Sequence, residues 1–234
     1  MISHEHRFIF VHIPKNAGNS FNRAFGIHWA DHKDIRRYSQ EMEPAAFETF
    51  FKFAVVRNPW DRILSDYNFQ KKKRRSAENR LFLFTESGAM RSFSDWVQTA
   101  FADPFHYDGR HWGGEVSAHI HRWSPQVDWI QINGEIAVDF IARHESLEED
   151  FRLIRQWIGL PHSRLPRRNR KFHWHYSHYF DGATRELVGN YYAQDIKTFG
   201  YEFEDRTRSV VRFFFGALSN FSWRSAERVL GPGV

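Results

Sequence analysis

The stretch Phe8-Ile9-Phe10-Val11-His12-Ile13-Pro14-Lys15-Asn16-Ala17-Gly18-Asn19-Ser20-Phe21 constrains this chain more than any other. Phe8 to Ile13 is a short run of aromatic and β-branched residues, the composition of a buried strand. Pro14 and Gly18 interrupt it, and Asn19 and Ser20 offer N-cap chemistry for an amphipathic helix carrying Phe21, Ala24 and Phe25. A strand that turns tightly into a helix aims several backbone N–H groups at one point. That is a site for a phosphate-like anion, to which Lys15 and Ser20 add a charge and a hydroxyl. In the triphosphate loop GxxxxGK(S/T) the lysine follows the last glycine, whereas Lys15 precedes Gly18. The loop therefore resembles a phosphate loop, but not that of an ATPase or a kinase.

A second junction has the same character. Phe50 to Val56 reads as a strand and ends at Arg57-Asn58-Pro59-Trp60-Asp61-Arg62, where Asn58 caps a helix and Pro59 takes its first position. Ile63, Leu64 and Tyr67 follow at helical spacing. Between the junctions lie a polar stretch, Ile27 to Gln40, and a short helix or loop, Glu41 to Thr49. Further on, the pattern predicts helix over Ser76–Pro104, from Ser146 to a stop at Gly159 and Pro161, over Thr184–Thr198, and in a tail over Thr207–Arg228. Ile136 to Ala142 is a third strand candidate, Ser124 to Asn133 is mixed, and Leu165 to Tyr179 is a basic and aromatic loop. Strands alternating with helices, with no repeat and no linker, argue one α/β domain over 1–234 built on a parallel sheet, with 208–234 as a C-terminal helical extension.

Composition narrows the function classes. An aromatic content of 18% in 234 residues is too much apolar bulk for a disordered chain. A net charge of +5 favours anionic partners without choosing among nucleotides, sulfated polymers, nucleic acid and acidic membranes. The absence of cysteine excludes disulfides and thiolate metal sites. No apolar run reaches the ~18 residues of a membrane span, and no basic start followed by an apolar core marks a signal peptide. The expectation is a soluble, cytoplasmic protein.

With both junctions in view, Pro14-Lys15-Asn16-Ala17-Gly18-Asn19-Ser20 resembles the 5′-phosphosulfate loop (PKTAGTS-like) of sulfotransferases that use 3′-phosphoadenylyl sulfate, PAPS. Val56-Arg57-Asn58-Pro59-Trp60-Asp61-Arg62-Ile63-Leu64-Ser65 is similar to their 3′-phosphate motif, an Arg with a Ser eight residues later. Trp123-Ser124-Pro125-Gln126, the run Asp139 to Leu147, and Tyr192 through Asp195 to Tyr201 fit the branch that includes heparan sulfate 2-O-sulfotransferase and small bacterial carbohydrate sulfotransferases. The loop departs from that family at Asn16 and Asn19, where Thr is usual; an Asn amide still donates but carries no hydroxyl.

The resemblance implies a P-loop-like three-layer fold, a central parallel sheet flanked by helices. It implies PAPS as co-substrate, PAP as product and no metal; no carboxylate completes a ligand set around His173-Trp174-His175. The nucleotide contacts it assigns are Lys15, Asn16, Ala17, Gly18, Asn19, Ser20, Arg57, Ser65 and, in a late basic loop, Lys171 or Arg170. Lys15 would stabilise the leaving group and His32 would deprotonate the acceptor hydroxyl, with His28 as the fallback base. The acceptor implied is a glycan or glycolipid, with no nucleic acid and no integral membrane segment; peripheral membrane contact stays open. Plainer readings stand beside these: a turn lysine for Lys15, an ion pair with Asp61 for Arg57, a structural histidine for His32, a solvated basic face for Lys171. Two other functions stay open, a kinase-like nucleotide-dependent transferase and a basic glycan- or nucleic-acid-binding module with a vestigial nucleotide site.

Overall fold

The computed structural model describes residues 1–26, 32–72, 83–102, 122–160, 165–166 and 174–207. At its centre is a four-stranded sheet in the order β1-β2-β3-β6, formed by Ile2–Ser3, Phe8–Val11, Phe51–Val56 and Phe140–Arg143. β2, β3 and β6 run parallel, and the short β1 pairs antiparallel with β2. A separate hairpin, β4 (Gln131–Ile132) with β5 (Glu135–Ile136), lies between β3 and β6 in the chain. The third strand candidate is thus two strands, with its last part, β6, joining the main sheet.

The alternation of side chains along a strand explains why both faces are covered. Register sets Phe10 opposite Phe53 and Val11 opposite Ala54. Phe8, Phe10, Phe53 and Val55 face one layer, where Phe21 of α1 (Gly18–Ala24) and Phe151 and Ile154 of α7 (Leu147–Trp157) pack on them. Ile9, Val11, Ala54 and Val56 face the other, closed by α2 (Ile35–Glu41), α3 (Pro44–Thr49), α6 (Gln126–Ile130) and α9 (Ala193–Phe199). Two faces buried at once require the near-continuous apolar runs seen in the sequence. The architecture is a central, mostly parallel sheet flanked by helices. A third apolar cluster joins α4 (Pro59–Lys72), α5 (Phe93–Ala102) and α8 (Gly182–Tyr191) beside the sheet.

Several local expectations shift. Helix α1 starts at Gly18 behind Ala17 in a left-handed conformation, so Asn19 and Ser20 are helical residues and neither is the cap. The polar stretch before Gln40 contains α2, whose cap is the Asp34 carboxylate accepting from the Arg37 amide at 2.6 Å. The helix read over Thr184–Thr198 is two helices that break at Tyr192 without Pro or Gly. There the buried phenol donates to the Trp123 carbonyl at 2.7 Å, a tertiary tie with no local signal. The tail after Thr207, residues 76–82 and 103–104 of the long helical expectation, and most of the basic loop lie outside the described residues. No helix among the described residues is long and apolar enough to cross a membrane.

Phe53 is the sheet's aromatic centre, meeting the rings of Phe8, Phe10, Phe21, Phe25 and Phe51 with centroids 5.0 to 6.3 Å away. Phe53→Ala is expected to cost about 3–5 kcal/mol. Urea unfolding should show it as a lower midpoint with an unchanged slope.

Candidate active site

Ligands of open α/β sheets gather outside the carboxyl ends of the strands, and here those ends converge. β2 runs into the Lys15 loop, β3 into Arg57, and β6 into His144, whose amide donates to the Val56 carbonyl at 2.8 Å. The Asn58 amide donates to Glu145 at 2.7 Å, tying the turn after β3 to the end of β6.

The Lys15 loop holds an uncommon backbone. Lys15 (φ 71°) and Ala17 (φ 61°) are both left-handed, although neither is glycine. Each such residue costs roughly 1–2 kcal/mol, and alternating backbone hand turns successive N–H groups toward one concavity. The Asn16 amide bonds the Ile13 carbonyl at 3.3 Å and that of Ser20 bonds Ala17 at 2.8 Å. The amides of Ala17, Gly18 and Asn19 meet no acceptor among the described residues. Gly18 is required by a close approach, since a Cβ there would overlap the buried imidazole of His12.

Lys15 itself is half-buried and has no carboxylate partner among the described residues; its ammonium lies over the Phe69 ring, 4.0 Å from the centroid. Burial, then the charges of Arg122 and Arg57, hold its pKa well below the usual lysine range. The two nearby carboxylates are already taken. Asp61 pairs with Arg57 at 2.8 Å, and Asp66 pairs with Arg122. Of the three cations at the loop's mouth, Lys15 alone has no carboxylate partner among the described residues.

Arg57 is buried and held on two sides, by Asp61 and by the Lys15 carbonyl, to which its Nη1 donates at 3.1 Å. The ion pair with Asp61 is thus real, and it orients the guanidinium. Ser65 lies one turn beyond Asp61 on the same face of α4, half-buried. Asn16 differs from the other expected nucleotide contacts. Its side chain turns inward, and Nδ2 donates to the Val55 carbonyl at 2.8 Å and to Gln126 Oε1 at 2.6 Å. Both donor positions of this side chain are thus spent on ties within the protein, while its buried Oδ1 meets no donor among the described residues. Asn19 is exposed and Ser20 half-buried at the start of α1.

His32 comes to the loop from the far side. Its Nδ1 lies 2.9 Å from the His12 carbonyl, and the two imidazole rings stand 4.2 Å apart. A carbonyl only accepts, so Nδ1 is the donor in this contact; in the neutral ring the lone pair then sits on Nε2, the form a base requires. His28, Arg170 and Lys171 lie outside the described residues.

Three residues at this place were not singled out by sequence. His12 stays neutral, its pKa held well below the ordinary value by burial and then by His32. His144 is pushed down to about 4 by burial and by Arg57, with Asp61 opposing. Phe69 carries Lys15. None has a local signal, except that His12 continues the side-chain alternation of β2 onto the Phe10 face, where its ring stacks on Phe10 at 5.7 Å. Gly18→Ala should cost about 1–3 kcal/mol through overpacking, and His12→Ala in the same chain should recover most of it. A double-mutant cycle of urea midpoints measures that coupling, and additive losses would separate the two residues.

A search of curated proteins finds no significant match. The model of the Sulfotransferase family matches residues 1–202. That span takes in the six strands of the described residues, the Lys15 loop, the Arg57 turn and the segments carrying Gln126 and Asp195. The chain belongs to the sulfotransferase family.

Proposed function

We propose that the protein transfers a sulfuryl group from PAPS to an acceptor hydroxyl, and that the acceptor is a carbohydrate. Family membership supports sulfuryl transfer. The observation that carries the donor assignment is the pairing of two anion-ready elements, a loop with unpaired amides beside Lys15 and a separate arginine, Arg57, bonded to that loop's own backbone. A donor with phosphate groups at both the 3′ and the 5′ position of one ribose fits two such elements; a triphosphate, with its charge in one chain, fits one.

Lys15 and the amides of Ala17, Gly18 and Asn19 would hold the 5′-phosphosulfate, and Arg57 with Ser65 the 3′-phosphate, with Lys171 a further candidate. The nucleotide supplies the sulfuryl group and leaves as the bisphosphate. His32 Nε2 takes the proton of the attacking hydroxyl. The Lys15 ammonium meets the charge that grows on the leaving oxygen, where a fixed cation acts in a partly desolvated site. The fit rests on chemistry already visible: a lysine without a carboxylate partner and amides without acceptors among the described residues are groups that an anion completes. The carbohydrate acceptor, and the likeness to the heparan sulfate 2-O-sulfotransferase branch, rest on the motifs at Trp123–Gln126, Asp139–Leu147 and Tyr192–Tyr201.

Incubation with PAPS and a panel of sugars, glycolipids and hydroxyl peptides should release PAP with a sugar acceptor. No PAP release across the panel, together with no PAP binding by calorimetry, would overturn the reading. Lys15→Met should abolish transfer and at the same time raise the melting temperature, because it removes a partly buried cation that has no counter-charge among the described residues.

A further inference from the structure

Lys15 is the residue on which the proposed chemistry turns, yet no carboxylate among the described residues holds it. What holds it is a ring. Its Nζ lies 4.0 Å from the centroid of Phe69, three turns along α4 from Pro59, and Arg122 leans on the same ring at 5.4 Å. Among the described residues, the charged groups that act on Lys15 are Arg122 and Arg57. Arg57 from the β3–α4 turn is paired with Asp61, Arg122 is paired with Asp66 of α4, and His12 from the loop's own strand is neutral.

We infer that Phe69 is a positioning residue that holds the Lys15 ammonium charged and aimed at the loop's mouth without neutralising it. A carboxylate in that place would bind the ammonium more tightly, but it would also repel an incoming phosphosulfate and compete for the same N–H donors. A ring face stabilises the cation with a quadrupole, adds no net charge, and leaves the opposite hemisphere of the ammonium free to donate. Asp61 and Asp66 are kept from this role by their arginines. The device also offsets the cost of placing a lysine among Arg57 and Arg122, where burial and like charge both press it toward the neutral form. The inference rests on the reading of Lys15 as the leaving-group cation only for its use; the clamp itself does not depend on that chemistry.

The test is the protonation midpoint of Lys15, read by pH-dependent labelling with an amine-specific reagent and peptide mass spectrometry on the full chain. A midpoint is insensitive to small changes in access that alter only the plateau. Phe69→Leu is expected to move it to lower pH, raising the reactive fraction below the midpoint about two- to fivefold, and Phe69→Tyr is expected to restore it. Phenylalanine analogues of rising ring fluorination at position 69 keep the shape and drain the π-face. They should lower the midpoint step by step, and they settle the matter if the Leu variant folds poorly. The alkaline limb of kcat for sulfuryl transfer should shift the same way. A midpoint unmoved by Leu and by fluorination would overturn the clamp. If the Leu shift is present but saturating PAP leaves the wild-type midpoint unchanged, the clamp stands and the proposed donor site falls.

Discussion

The site depends on one buried amide, that of Gln126. Its Oε1 accepts from the Arg57 amide at 2.9 Å and from Asn16 at 2.6 Å, and its Nε2 donates to the Arg57 carbonyl at 2.9 Å and to Asp195 at 3.1 Å. Asp195 in turn accepts from the amides of Gln126 and Val127 at 2.8 and 3.0 Å. Two loops that leave different strands are thereby fixed to one another through a residue on neither strand. All four hydrogen-bonding sites of the amide are filled, which makes the knot rigid; a knot half filled would cost more than an apolar core.

A second buried group works in parallel. Arg62 is 1% exposed and donates to the carbonyls of Pro14, Ser124 and Arg122. It ties the Lys15 loop to the segment that carries Gln126. With Asp66 bonded to Arg122, Trp123 and Gln70, the inward polar face of α4 becomes a bracket for the loop in front of it. This rigidity fits the proposed task. A left-handed Lys15 and Ala17 are strained conformations, and they persist only where the surroundings over-determine them.

Much of the sheet was legible because its signal is local. Strands buried on both faces must be apolar at successive positions, and Phe8–Val11 and Phe53–Val56 are. The strand-to-helix turns after them were marked by Pro14, Gly18, Asn58 and Pro59. The brackets were not legible, because their partners lie far away in sequence; Asn16 and Gln126 are 110 positions apart. One signal was present and pointed the wrong way. Arg62, Asp66 and Gln70 recur every fourth residue, a polar stripe that ordinarily marks a solvent face, yet all three are buried. Such a stripe, opposite the apolar Ile63, Leu64 and Tyr67, is the mark of a helix surrounded by protein. Gln126 and Asp195 lay within motifs noted for their resemblance, where nothing in the residue types separates a tie from a ligand.

In the proposed donor site, two anion subsites, at the Lys15 loop and at Arg57, are held at a fixed separation and would read two phosphates of one nucleotide. Calorimetric comparison of PAP with adenosine 5′-monophosphate tests it most directly, since the two differ only in the 3′-phosphate. PAP is expected to bind at least about tenfold tighter, the worth of a charge-assisted arginine contact, and Arg57→Ala to erase this difference while leaving the monophosphate affinity in place. Equal affinities for the two nucleotides in the unmodified protein would contradict it.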